Sequence, residues 1–321
     1  MQVIHAKVAA SVLSTVSASS RTDSSSLLHS SSQAQLMASI VLADDAAPPR
    51  DWSRLPVMHG TLQHAARLPT SLEDMLLQDD SCSAADEAVV GGVVSVQFAS
   101  KPFAKGSSRV AYHATVRYEP AADNHAEQDD GSIPQQHGPE AAVLKEIVGQ
   151  GPEACLLKCQ EALSCHAAAT YLALIFNDLL RPHTAVTLHF VQNMLIRLDH
   201  RPDQPYMTWE EPIVAGHWEK YNNNSGMCLP CPSLSTGTDH SAVQAFSHWT
   251  HSMSGGRLMV VDCQGAYDEA SQRFTLTDPA IHCVSLLKFG GTNIGKKGFA
   301  RFFKTHRCNA ICTAIGIQVI A

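Results

Sequence analysis

His306-Arg307-Cys308-Asn309-Ala310-Ile311-Cys312 places two thiols four positions apart, with an imidazole two residues ahead of the first. On a helix, Cys308 and Cys312 would share one face, and two thiolates with a nearby imidazole supply three of the four ligands of a tetrahedral zinc shell. The spacing is not that of a zinc finger, so a fourth ligand has to come from elsewhere in the chain. His248, His251, His282 and Cys283 are the candidates. The plainer reading is a pair of buried free thiols, because cysteine is among the most buried residue types.

Working back from this cluster, helical spacing covers Lys297 to Ile315. Ahead of it Phe289-Gly290-Gly291-Thr292-Asn293-Ile294-Gly295-Lys296-Lys297-Gly298 is a glycine-rich stretch whose backbone could approach a phosphate or an extended peptide. It is not a Walker A loop, which needs Gly-Lys-Ser/Thr at fixed spacing. Further back, Val260-Val261-Asp262-Cys263-Gln264-Gly265 reads as a buried strand ending in a carboxylate and an amide. Leu276-Thr277-Asp278-Pro279 adds a second carboxylate. Oxygen ligands of this kind suit magnesium, although an Asx turn and a strand-ending turn are the local alternatives. Ala141-Ala142-Val143-Leu144-Lys145 is a short apolar strand whose lysine could pair with phosphates.

The remaining chain divides by composition. Residues 1–88 are rich in Ser, Ala and Pro and read as a disordered extension. Strand character begins near Val89 and returns at Ser108 to Tyr118. Residues 119–140 read as a long solvated loop, and Glu153 to Leu180 carries helical spacing closed by Pro182. Strands follow at Val186 to Phe190, Met194 to Ile196 and Leu258 to Asp262. This is an α+β order with two lobes.

The chain has 321 residues, 45% of them hydrophobic, enough for a full core. A net charge of −7 argues against a dedicated nucleic-acid binder, yet Pro279 to Ala321 contains no Asp or Glu and carries Lys288, Lys296, Lys297, Arg301, Lys304 and Arg307. The longest uncharged apolar stretch, Ala167 to Phe176, is shorter than the roughly 20 residues of a bilayer span, so no membrane span is expected. Ten cysteines, several beside histidines, point to metal ligation in a reducing compartment, hence a cytoplasmic location. The Ser-rich N-terminus leaves organelle targeting open.

Taken in order, Glu210-Glu211-Pro212, Lys220-Tyr221-Asn222-Asn223-Asn224, Gln244-Ala245-Phe246-Ser247-His248, the Asp262 and Asp278 blocks, the glycine-rich stretch and the His306 to Cys312 cluster resemble the alpha-kinase family of atypical serine/threonine protein kinases. The resemblance covers about residues 90–321. It implies a two-lobed atypical protein-kinase-like fold over residues 89–321, with an N-lobe at 89–209 and a C-lobe at 210–321 holding a structural zinc site. It implies transfer of the γ-phosphate of ATP, with magnesium, to Ser or Thr of protein substrates; a catalytically weak nucleotide- or protein-binding pseudokinase is the alternative.

By the same resemblance, Asp262, Lys145 and Asp278 are catalytic. Arg109, Lys145, Glu211 and Lys220 bind ATP, with Glu211 at the adenine hinge. Gln264 and Asp278 hold magnesium, and Gly290, Thr292, Asn293, Gly295 and Gly298 form the substrate loop. His248, His306, Cys308 and Cys312 ligate zinc. The His-Arg-Asp and Asp-Phe-Gly signatures of ordinary protein kinases do not occur.

Overall fold

Five strands contribute apolar pairs two residues apart, Val94 and Val96, Ala114 and Val116, Ala142 and Leu144, Ile196 and Leu198, Met207 and Trp209, and a sixth contributes Leu62. Side chains two apart share a face, so these strands have one oily side and close around it. The computed structural model describes residues 41–42, 47–65, 67–77, 92–106, 108–119, 139–229 and 240–317. In it the strands are β1 (Val41–Leu42), β2 (Met58–Ala65), β3 (Gly92–Phe98), β4 (Ala104–Lys105), β5 (Arg109–Glu119), β6 (Glu140–Ile147), β7 (Thr187–Phe190), β8 (Asn193–Leu198) and β9 (Tyr206–Glu210). Next come β10 (His217–Lys220), β11 (Leu258–Val261), β12 (Gln264–Asp268), β13 (Arg273–Thr277) and β14 (Ala280–Cys283).

The order β5-β3-β2-β8-β9-β6 returns from β6 to β5, so this antiparallel sheet is a closed ring, with β4 and β1 added at one end of β5. Closure leaves no unpaired edge in the ring. The second lobe holds the sheet β10-β12-β13-β7 and the ladder β11-β14. The helix Ser241–Met253 packs against it, with Phe176, Phe190, Phe246, Trp249 and Phe274 in one core.

The central helix Pro152–Leu180 belongs to both lobes. Its first half places Cys155, Cys159 and Leu163 against Ile147 and Leu195 of the ring, and its second half buries Leu172, Phe176 and Leu180 in the other core. Being covered by both lobes, it is apolar on most of its surface, and by length and composition alone it could cross a membrane.

Several sequence expectations are corrected. The extension assigned to residues 1–88 contains β2, which lies between β3 and β8, and the helix Leu72–Leu77, whose Met75 is buried in the second core. Met58-His59-Gly60-Thr61-Leu62-Gln63 alternates too weakly to announce a strand, and only pairing on both sides reveals it. β7, expected in the N-lobe, runs parallel to β13 in the C-lobe sheet. The single late helix expected over 297–315 is two, Lys296–Thr305 and Ala310–Ala314. Asn309 separates them: its Oδ1 accepts from the backbone N–H of Ile311 (3.0 Å) and Cys312 (3.1 Å), a helix N-cap. Cys308 therefore precedes the helix rather than sharing its face. The loop expected at 119–140 lies outside the described residues beyond Glu119 and before 139.

Candidate active site

Leu144 points into the ring, so Lys145, next along β6, points out of it toward the second lobe. It is not a strand-end lysine in water. Only 8% of its side chain is exposed, and its Nζ lies 2.6 Å from Glu210 Oε2, 2.7 Å from Asp278 Oδ2 and 3.1 Å from Thr277 Oγ1. Arg109, at the start of β5, reaches the other oxygen of Asp278 at 2.9 Å. Burial opposes the charge of Asp278, but Lys145 and Arg109 outweigh it and hold the carboxyl well below the usual range. Burial likewise opposes the Lys145 charge, and Asp278 with Glu210 overcomes that and raises its pKa. Asn193 Nδ2 lies 3.5 Å from Glu210 Oε1 and 3.2 Å from Nδ1 of His166, whose pKa burial lowers.

A second pair stands beside the first. Register sets Lys220 opposite Gln264, and Gln264 opposite Thr277, so these three side chains emerge on one face of β10, β12 and β13. Lys220 Nζ binds Asp262 Oδ1 at 2.7 Å. Burial raises the Asp262 pKa, Lys220 works against this, and Asp278 adds to it. Asp262 (φ 60°) and Asp278 (φ 51°) both sit in the left-handed region at strand ends, a backbone cost that clusters at functional sites. Asn222 fixes the turn after Asp262, accepting from Cys263 N (2.9 Å) and donating to Ser247 Oγ (3.0 Å). Gln264 is buried, and its Oε1 has no hydrogen-bond partner among the described residues.

The third group is apart from these. One ligand atom from each of His248, His306, Cys308 and Cys312 lies within 4.8 Å of every other. Cys308 Sγ is 3.7 Å from His248 Nδ1, and Cys312 Sγ is 3.7 Å from His306 Nε2. The spacing across a tetrahedral zinc from sulfur to nitrogen is about 3.6 Å, given the usual bond lengths. Burial lowers both imidazoles to about 4, and burial raises the Cys312 thiol to about 11. The histidines are therefore neutral donors at pH 7, and the cluster could hold a metal ion. Among the rival fourth ligands, His251 instead packs on Phe299 and Phe303, and His282 lies behind Gly298.

Other expected residues make the following contacts. Glu211 points away from Lys145, with 48% of its side chain exposed and His189 at 3.8 Å. Of these two adjacent acids it is Glu210 that reaches Lys145; Glu210, Thr277, Asn193 and His166 were not among the expected site residues. The alternation Met207-Thr208-Trp209-Glu210, with Met207 and Trp209 inward, carried the signal for Glu210. Asn293 is consumed by its own loop, accepting from Cys283 N and Gly295 N and donating to Ser285 O and Lys288 O. At Gly298 a Cβ would fall 1.9 Å from the His282 ring, so packing requires this glycine. Gly290, Thr292 and Gly295 lie on the loop beside the central helix, with Gly290 against the Glu161 side chain.

One helix packs in both lobes, and where the lobes meet Lys145 and Arg109 contact the carboxylates of Glu210 and Asp278. The sequence profile of the alpha-kinase family matches residues 104–312, and the chain belongs to that family. It is 29% identical over 227 residues to alpha-protein kinase vwkA of Dictyostelium discoideum, covering 70% of this chain and 32% of the relative. It is 39% identical over 127 residues to eukaryotic elongation factor 2 kinase of Mus musculus, covering 40% and 16%. The chain thus spans a third or less of the length of these relatives. The alpha-kinase domain of myosin heavy chain kinase A, solved in complex with ATP, superposes with a TM-score of 0.55 at 24% identity, over 72% of this chain and 91% of that one.

Proposed function

We propose that this chain is an ATP- and magnesium-dependent protein kinase that moves the γ-phosphate of ATP to Ser or Thr hydroxyls of protein substrates. The observation that carries this reading is the clasp of Asp278 by Lys145 and Arg109 where the lobes meet. Two cations gathered there suit the phosphates of a nucleotide, and phosphoryl transfer is mostly positioning and charge neutralisation. ATP is bound by the related myosin kinase domain, and family membership supports the same ligand here.

Within this reading Lys145 and Arg109 receive phosphate oxygens, and Glu210 holds Lys145 in place. Asp262 accepts or orients the hydroxyl proton. Its raised pKa is a shift toward the working pH, which favours a proton acceptor. Gln264 Oε1, buried and without a partner among the described residues, and the Asp278 carboxylate form an oxygen donor set that fits magnesium. Magnesium, when bound, neutralises charge on the β- and γ-phosphates. The cluster of His248, His306, Cys308 and Cys312 fits zinc in a closed four-ligand site, a structural rather than catalytic arrangement that ties the end of the chain to the helix Ser241–Met253.

The test is transfer from radiolabelled ATP to a Ser/Thr peptide library with magnesium present, comparing wild type with Lys145→Ala and Asp278→Ala. Magnesium-dependent labelling lost in both variants is expected. Equal labelling by all three would refute the assignment, and nucleotide binding without transfer by the wild type would mark a pseudokinase.

A further inference from the structure

The chain leaves β14 at Cys283 and exposes three apolar side chains in succession: Val284 at 44%, Leu286 at 64% and Leu287 at 91%. The loop that presents them is pinned. Asn293 donates to Ser285 O (2.8 Å) and Lys288 O (2.9 Å) and accepts from Cys283 N (2.8 Å), while buried Lys288 donates to Met75 O (3.1 Å). Leu286 lies across Gly295, where a Cβ would meet its Cδ2 at 2.8 Å, and so abuts the start of the helix Lys296–Thr305.

That helix turns Gly298, Phe299 and Phe302 into the core and Lys296, Lys297, Arg301 and Lys304 to solvent. Among the described residues none of these four cations is paired with a carboxylate. The sequence from Pro279 to Ala321 contains no acidic residue that could pair with them locally. Apolar side chains fixed in water beside unpaired cations are the marks of a recognition surface rather than of a folding requirement.

We propose that the Val284–Leu287 loop and the exposed face of the helix Lys296–Thr305 together dock an acidic protein segment carrying at least one leucine-like side chain. The leucine-like residue would cover Leu286 and Leu287, and its flanking Asp and Glu would run along the cations. A helix of ten residues is about 15 Å long, so roughly five extended residues span it. The apolar side of the helix is already committed to the core, so it cannot be laid into a bilayer as an amphipathic membrane helix is. Single-stranded nucleic acid is held in part by stacking on aromatic side chains, and the exposed side chains of the loop are aliphatic. β14 connects Asp278 directly to this loop, so a docked segment sits within reach of the cleft. As a statement of substrate class the inference rests on the kinase reading above.

The experiment measures binding and transfer separately. A fluorescein-labelled peptide of alternating Asp and Glu around two leucines is titrated with the full chain by anisotropy, at low and raised salt. A leucine-free acidic peptide and phosphatidylserine vesicles are run in parallel. Wild type is expected to bind the leucine peptide in a salt-sensitive way, and the double variant Arg301→Glu/Lys304→Glu to weaken binding about tenfold or more. Leu287→Ser is expected to weaken it several-fold, as is removal of the leucines from the peptide. Fusing the docking segment to a substrate peptide is expected to lower KM for wild type but not for these variants, with labelling of the unfused peptide unchanged. Equal binding by all variants, no peptide binding, or binding to vesicles alone would overturn the proposal. The anisotropy result does not depend on transfer, so an absence of labelled product would count against the kinase reading only.

Discussion

Lys145 is gripped by Glu210 at 2.6 Å, from inside its own lobe, as closely as by Asp278 at 2.7 Å from the other. Glu210 is 3% exposed, so removing its charge leaves a buried ammonium with one carboxylate instead of two. Loss of one member of a buried pair costs about 3 kcal/mol or more. Glu210→Gln keeps the shape of the side chain and should lower Tm and reduce kcat/KM for ATP by about tenfold to a hundredfold, through loss of positioning. Calorimetry and ATP-dependent kinetics check this, and an unaltered KM for ATP and Tm would remove Glu210 from the site.

Asp278→Asn should cost stability as well as activity, and the cost should vary with pH. The native carboxyl titrates below its unfolded value of about 3.9, so its stabilising contribution is complete above that pH and is lost as pH falls through the folded value. The Tm difference between wild type and variant should be large at pH 7 and shrink only in strong acid. A difference independent of pH down to acid unfolding contradicts the ion-pair account.

Asp262 has the opposite sign. Its folded pKa lies above the unfolded one, so keeping it ionised at neutral pH costs stability, and the cost grows as pH rises through the folded value. Asp262→Asn should hold or raise Tm at pH 7 while reducing phosphate transfer by three orders of magnitude or so, the trade expected of a group retained for function. Thermal shift and labelled transfer measure both, and a clear fall in Tm would show that Asp262 is structural.

The four-ligand cluster should carry stoichiometric zinc by metal analysis. Cys312→Ser removes a fully buried ligand and should abolish retention of the metal and lower Tm by many degrees. A strong chelator should do the same to wild type, with zinc restoring it. Purified protein without zinc, or with a Tm indifferent to chelation, would return these residues to the plain reading of buried thiols.

Gly298→Ala separates packing from substrate contact. The added methyl would meet the His282 ring, itself completely buried, so the variant should fold poorly whatever peptide is offered. Gly291→Ala meets only Lys158 Nζ at 3.6 Å and should fold normally. Equal thermal stability of the two variants would show that the His282 contact is not what requires glycine at 298.

The strands around Asp262 and Lys145, the central helix and the family itself were legible in the sequence, because each rests on a local run of residue types. β2 was not, since His59, Gly60 and Gln63 interrupt its pattern and its partners β3 and β8 lie far along the chain. Glu210 could not be told from Glu211 as a partner of Lys145, because adjacent acids look alike until the pairing of β6 with β9 fixes which face each takes. Spacing left four rivals for the fourth metal ligand, and His248 stood out only through resemblance until the helix Ser241–Met253 was folded against the late turn.

By itself the sequence determined which chemistries were available: a lysine closing an apolar strand, strand-end carboxylates, thiols beside imidazoles, and a basic segment without acids. The tertiary structure decided which of them meet. Lys145 and Asp278 are separated by 133 residues and touch because β6 and β13 belong to different lobes held by one helix. Composition is a property of each residue alone, whereas a site is a set of distances, and those exist only once the two cores have closed.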